Sequence, residues 1–129
     1  MSYNPVPPLV TDFNLAEWGR QVSLILNENL PLAYVPVTKR VTADHTVLRE
    51  ETYVGVTDTS SARTITLPQK MVDGSIIVVK DESGAAGTNN ITVSRGGTDT
   101  IDGATSTAIS SNYGVVTVMS NGSGAWFTL

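Results

Sequence analysis

Four residue pairs capable of turning the backbone sharply, Asp73-Gly74, Gly96-Gly97, Asp102-Gly103 and Asn121-Gly122, divide the chain from Gly74 to Leu129 into short pieces. Glycine takes a positive φ without steric cost, and Asn and Asp tolerate it better than other residues, so each pair favours a reversal. Ile76 to Lys80, Ile91 to Arg95 and Tyr113 to Met119 are rich in β-branched and aromatic residues, which fit a pleated, half-buried surface. Within Ile91-Thr92-Val93-Ser94 the alternation is strict, predicting one apolar face and one wet face.

The same signals extend upstream. Arg63 to Pro68 alternates, with Ile65 and Leu67 opposite Thr64 and Thr66, and His45 to Val56 supplies one or two further strands with Gly55 as a candidate bulge. Asn121-Gly122-Ser123-Gly124 is expected to fold a last strand, Ala125 to Leu129, back onto Val115 to Ser120. No internal repeat is strong enough to indicate a solenoid. The expected fold is mainly β: residues 42–129 form a compact antiparallel β-sandwich or β-prism-like domain, with a small barrel as the other closed solution.

Residues 1–41 read as a mount for that domain, made of an extended arm, one short amphipathic helix and a strap. Pro5, Pro7 and Pro8 hold Met1 to Val10 extended, and Tyr3, Val6 and Leu9 offer it apolar contacts; a free terminus is the plainer alternative. From Thr11 to Asn29, Leu15, Trp18, Val22 and Ile25 recur at helical spacing, with Asn14 and Glu17 as a capping box and Asp12 as a competing cap. Pro31 ends that helix. So short a helix is marginal alone in water, so its stripe needs a partner, either the chain's own sheet or symmetry mates. Leu30 to Val41, including Leu32, Tyr34 and Val35, is apolar in both phases of a two-residue period, as expected of a strap covered on both sides.

Composition narrows the partners. With 8 Lys and Arg against 12 Asp and Glu, the chain lacks the basic surface that neutralises a phosphate backbone, so no nucleic acid is expected. The absence of cysteine removes disulfides and thiolate chemistry, leaving packing or oligomerisation to supply stability. At 129 residues there is room for one such domain and no second. Neither a signal peptide nor an apolar run near the ~20 residues of a membrane span is present, so a soluble protein without membrane insertion is expected. Charged residues make up 16 %, below the roughly 25 % average, and Thr, Ser and Asn supply the missing polarity. That balance suits a secreted or virion-exposed β-protein, or a weakly charged intracellular one.

The search for chemistry is mostly negative. His45 is the single histidine, which rules out a two-histidine zinc site. Ser123, between two glycines, lacks the context of a nucleophile elbow, and Gly96-Gly97 is followed by no phosphate-loop lysine. Asp99 and Asp102 are considered as a carboxylate pair of the glycosidase kind, but read better as turn residues. Asp81 and Glu82 read as the start of a solvated loop tip. Tyr113 and Trp126, with Phe127 beside them, are either core or interface residues or a surface on which a glycan stacks. No catalytic, cofactor-binding or metal-binding residue is predicted, and no cofactor.

The segment TDTIDGATSTAISSNYGVVTVMSNGSGAWFTL, from Thr98 to Leu129, resembles the C-terminal part of small bacteriophage fibre and decoration proteins. The shared pattern is an Ile-Asp-Gly turn, an aromatic before a Val-rich strand, Ser-Asn-Gly and a terminal Trp. Upstream, YVGVTDTSSARTITLP and GSIIVVKDESG look like earlier strands of the same module, extending the resemblance to Tyr53. It implies a homotrimer on the virion surface, made in the host cytoplasm, whose N-terminal arm and helix grip a capsid or tail protein. On this reading Tyr3, Val6, Leu9, Leu15, Trp18, Val22, Ile25, Leu32, Tyr34 and Val35 form the partner or trimer interface. The expected function is a capsid-anchored head fibre or decoration protein. The alternative is a short tail-fibre or adaptor protein whose β-domain binds a host surface polysaccharide, with Tyr113 and Trp126 in contact. Without a shaft, a collagen-like repeat or a catalytic β-helix, the chain departs from long tail fibres.

Overall fold

A computed structural model describes residues Pro36 to Leu129, which form one unit. The expected arm, helix and the strap as far as Val35, and with them all ten of the proposed interface residues from Tyr3 to Val35, lie outside the described residues. The strands in chain order are β1 (Thr38–Val41), β2 (His45–Thr46), β3 (Tyr53–Val56), β4 (Arg63–Thr66), β5 (Ile76–Asp81), β6 (Ile91–Ser94), β7 (Thr100–Ile101), β8 (Ser106–Ile109), β9 (Val115–Ser120) and β10 (Ala125–Thr128). No helix occurs among the described residues.

The strands form two mixed sheets, ordered β1-β3-β5-β9-β10-β7 and β2-β4-β6-β8. An all-antiparallel arrangement was expected, and the first half of the unit departs from it. From β1 to β6 successive strands alternate between the sheets, so each strand pairs in parallel with the one two places earlier in the chain. This is a coil. Parallel neighbours need long crossovers, and here each crossover passes through the opposite sheet. Thr38 pairs with Tyr53 and Tyr53 with Val78, offsets of 15 and 25 residues. In the other sheet His45 pairs with Ile65 and Arg63 with Ile91, offsets of 20 and 28. Turns of such unequal length leave no sequence period.

The second half is largely antiparallel. Strand β8 pairs with β6, β9 with β5, and β10 with β9, the last pair joined by the expected Asn121 to Gly124 turn. Both glycines of that turn have positive φ, 78° and 87°. Asn121 Oδ1 accepts from the N–H groups of Ser123 and Ala125, fixing its shape. Two short strands, β7 and β8, were not predicted, because β7 is a two-residue element and β8 carries Ser, Thr and Ala in place of large apolar residues.

Period-two alternation decides which side chains meet. Val54, Val56, Ile77, Val79, Val118 and Trp126 from the larger sheet join Ile65, Ile91, Val93 and Ile109 from the smaller in one core, with Val47, Leu67 and Met71 entering from loops. Trp126 is 1 % exposed and is the largest fully buried side chain, while its neighbour Phe127 is 49 % exposed on the opposite face. Trp126→Ala is therefore expected to lower unfolding free energy by about 3–5 kcal/mol, whereas Phe127→Ala in the isolated unit should change it by about 0.5 kcal/mol or less. Urea titration of the two variants checks the contrast.

Candidate functional site

Strand β5 alternates outward and inward until its last residue, which places the Asp81 carboxylate inside at 0 % exposure. A buried charge without partners is costly, and here the following loop supplies them. Oδ1 accepts from the Ser83 N–H at 3.0 Å, the Ser83 hydroxyl at 2.6 Å and the Gly84 N–H at 3.0 Å. Oδ2 accepts from the N–H groups of Ala86 and Tyr113, both at 3.0 Å. The reading of Asp81 as part of a solvated tip is thus corrected: Asp81 binds the loop to the start of β9. The local signal was Asp81-Glu82-Ser83-Gly84, a side-chain acceptor followed by donors two and three residues on.

The lock sets the posture of Tyr113, whose φ is 58° and whose residue is 61 % exposed. The ring lies against Gly84, where any Cβ would collide with it, and the Lys80 ammonium donates to the Tyr113 carbonyl. Tyr113 therefore stands at the surface, as a glycan contact requires. Trp126 does not: its place in the core removes it from any sugar-stacking surface, because the inward register of β10 turns its indole between the sheets.

On the outer side of the larger sheet, Arg40 on β1, Tyr53 on β3 and Glu82 just beyond β5 form a polar cluster. Glu82 accepts from the Tyr53 hydroxyl at 2.5 Å and from Arg40 Nε at 3.2 Å, and the guanidinium lies 5.2 Å from the centre of the Tyr53 ring. Gly55 leaves the space this needs, since a Cβ there would stand 2.5 Å from the Glu82 carboxyl. The Tyr53 hydrogen bond, then Arg40, holds the Glu82 carboxyl below its usual range, while burial and then Glu82 push the Tyr53 phenol up to about 12.

Beside that cluster the outer face is mostly apolar, interrupted by Thr117 and Lys80. Ile76, Met119 and Phe127 are direct cross-strand neighbours on β5, β9 and β10; in the next row of the same face Val78 pairs with Thr117, and in the one after that Val115 pairs with Lys80. Ile76, Val115, Phe127 and Leu129 are exposed. The outer face of the smaller sheet is different in kind. Thr46, Thr66, Ser94 and Ser106 form one row across its four strands, and Thr64, Thr92 and Ala108 a second.

The remaining candidates are structural or open to solvent. His45 Nε2 and Glu51 Oε1 are 2.8 Å apart, and Glu51 also accepts from the Leu48 N–H, so the histidine is tied to a loop. Asp102 accepts from the Thr128 hydroxyl and N–H, clamping the end of β10; these bonds lower its carboxyl below the usual range. Asp99 accepts from the Lys70 N–H at 3.1 Å. Asp99 and Asp102 are thus each engaged with a different segment. A cleft of about 400 Å3 lies by Asp99, lined by Lys70, Thr98, Asp99, Gly122, Ser123 and Gly124. Sequence reading did not assemble it, since its walls come from three separated segments. Among the described residues no cluster of three His, Asp or Glu side chains could hold a metal.

Burial alone would raise the Asp81 carboxyl, but the hydrogen bonds from Ser83, Ala86, Tyr113 and Gly84 outweigh it and hold the carboxyl at about 2, below its ordinary 3.8. Folding stability from this group is therefore full above the ordinary value and lost as pH falls towards about 2. Asp81→Asn strands buried donors, each worth roughly 1–3 kcal/mol, and is expected to cost roughly 3 kcal/mol at neutral pH. It should also flatten the acid limb of stability against pH, measured by urea denaturation across that range. No protein-family model and no curated protein sequence matches this chain.

Proposed function

We propose that this chain is a structural bacteriophage virion protein: a homotrimeric head fibre or decoration protein, held on the capsid by its N-terminal arm and helix and exposing a β-rich head on the particle surface. The observation that carries this reading is the unlike character of the two outer faces. The larger sheet turns Ile76, Val78, Val115, Met119 and Phe127 outward, and the smaller turns out rows of hydroxyls. Contiguous apolar surface is uncommon on monomers and marks association sites. Near this surface lie Arg40 and Lys80 together with Glu82, so a second copy meets charges of both signs, which suits symmetric self-assembly. The hydroxylated face then remains for solvent. The resemblance of Tyr53 to Leu129 to phage fibre modules supplies the setting, and the reading assigns no catalytic role. A short tail-fibre or adaptor protein that binds a host surface glycan is the second reading, and the cleft beside Asp99 favours it.

Size-exclusion chromatography with light scattering on the full chain should give a trimer mass. Phe127→Glu combined with Met119→Lys should give monomers with an unchanged β circular-dichroism spectrum. A monomeric wild type at micromolar concentration overturns the trimer. Co-sedimentation with fibre-depleted capsids should be lost when residues Met1 to Asn29 are removed; retention would move the anchor elsewhere.

A further inference from the structure

We infer that the cleft formed by Lys70, Thr98, Asp99 and the turn Gly122 to Gly124 is a binding site for a neutral sugar, recognised through its ring hydroxyls. The proposal rests on the second reading above and deepens it by locating the sugar, and its test fails separately from that reading, since a glycan bound at Tyr113 would leave the reading standing and the cleft empty. About 400 Å3 falls within the roughly 300–1,000 Å3 of small-molecule sites.

The cleft carries unused hydrogen-bonding capacity. Asp99 is 5 % exposed, and one of its oxygens, Oδ2, accepts from the Lys70 N–H. The other, Oδ1, accepts no hydrogen bond from any described residue, although buried polar atoms are normally satisfied. A Cβ on Gly124 would stand 3.3 Å from that oxygen, so the glycine keeps it accessible. The Gly124 N–H is itself without an acceptor among the described residues, while the Gly124 carbonyl is taken by the Thr100 N–H. A free acceptor and a free backbone donor on adjacent groups suit a hydroxyl, which donates and accepts at once. Lys70 disfavours a cation and Asp99 an anion, so a ligand without net charge suits the cleft, and the free acceptor and donor select one with hydroxyls.

The walls are built before any ligand arrives. Arg49 donates to the carbonyls of Gln69 and Lys70 at 2.7 and 3.0 Å, Asp99 holds the Lys70 N–H, and the Ser120 hydroxyl donates to the Met71 carbonyl. Lys70 is thereby kept at a φ of 53°. On the facing side, the Gly122 N–H donates to Ser120 Oγ at 3.0 Å and Asn121 Oδ1 fixes the rest of the turn. Preorganised polar groups spend little ordering entropy on binding. A single sugar held by so few contacts is expected to bind with Kd on the order of 1 mM, and copies in an oligomer would add avidity on a polysaccharide.

The test is titration of the 15N-labelled full chain with methyl glucoside, methyl galactoside and methyl mannoside, with acetamide as control, followed by amide shifts. The expected result is saturable movement of the Gly122, Ser123, Gly124, Thr98 and Asp99 amides with at least one glycoside. Asp99→Asn should weaken it about tenfold or more. Because Asp99 also holds the Lys70 loop, Ser123→Trp, at an exposed position, provides a second variant that fills the cleft and should abolish the shifts. The proposal is overturned if no glycoside moves these amides saturably, if acetamide moves them equally, if the response centres on Tyr113, or if Ser123→Trp leaves binding intact.

Discussion

A carboxylate inside a β-sandwich-like core must be met by donors, and the way Asp81 is met ties the two halves of this unit together. Strand β5 ends the parallel coil in the larger sheet, and β9 begins its antiparallel extension. The Asp81 side chain accepts from the loop after β5 and from Tyr113, two residues before β9. Its own N–H donates to the Gly114 carbonyl, while the N–H groups of Glu82 and Ser83 both donate to Val56 at the end of β3. Three strands are closed off at one place. An apolar residue at this position would fill the volume but leave the Ala86 N–H without an acceptor in a buried setting and that of Tyr113 without one in a half-buried setting.

The consequences reach the surface. By fixing Tyr113 and the loop from Ser83 to Ala86, the buried carboxylate defines one end of the larger sheet, beside the Arg40, Tyr53 and Glu82 cluster. The opposite end carries the Asn121 to Gly124 turn and the cleft beneath it, since β9 runs the six residues between. Between the two ends lies the apolar outer face. Parallel strands are commonly covered on both sides, and here the larger sheet is covered on one side by the smaller sheet and open on the other. An assembly through that face and a sugar in the cleft do not compete for the same residues.

Much of the strand inventory was legible because the signal is local. Alternation in Arg63 to Thr66 and Ile91 to Ser94 marks both the strand and its inward face, the β-branched run from Ile76 marks a strand without showing which face is inward, and Asn121-Gly122 marks the hairpin that follows β9. The short strands β7 and β8 escaped because neither carries a run of large apolar residues. The carboxylate Asp99 was legible as a turn residue, but its free oxygen was not, because the groups around it come from three segments far apart in the chain.

What the amino-acid order determined by itself is therefore the β character of residues 42 to 129, the positions of most turns and, within each strand, which side chains share a face. Those follow from steric preferences and a period of two, which act over a few residues. Only the tertiary structure decided that β1 to β6 wind as a parallel coil, that Asp81 faces inward to five donors, and that Trp126 is core while Phe127 is surface. Strand partners are chosen by which faces bury most completely across separations of 15 to 28 residues, and crossovers of unequal length erase any repeat that would announce the choice.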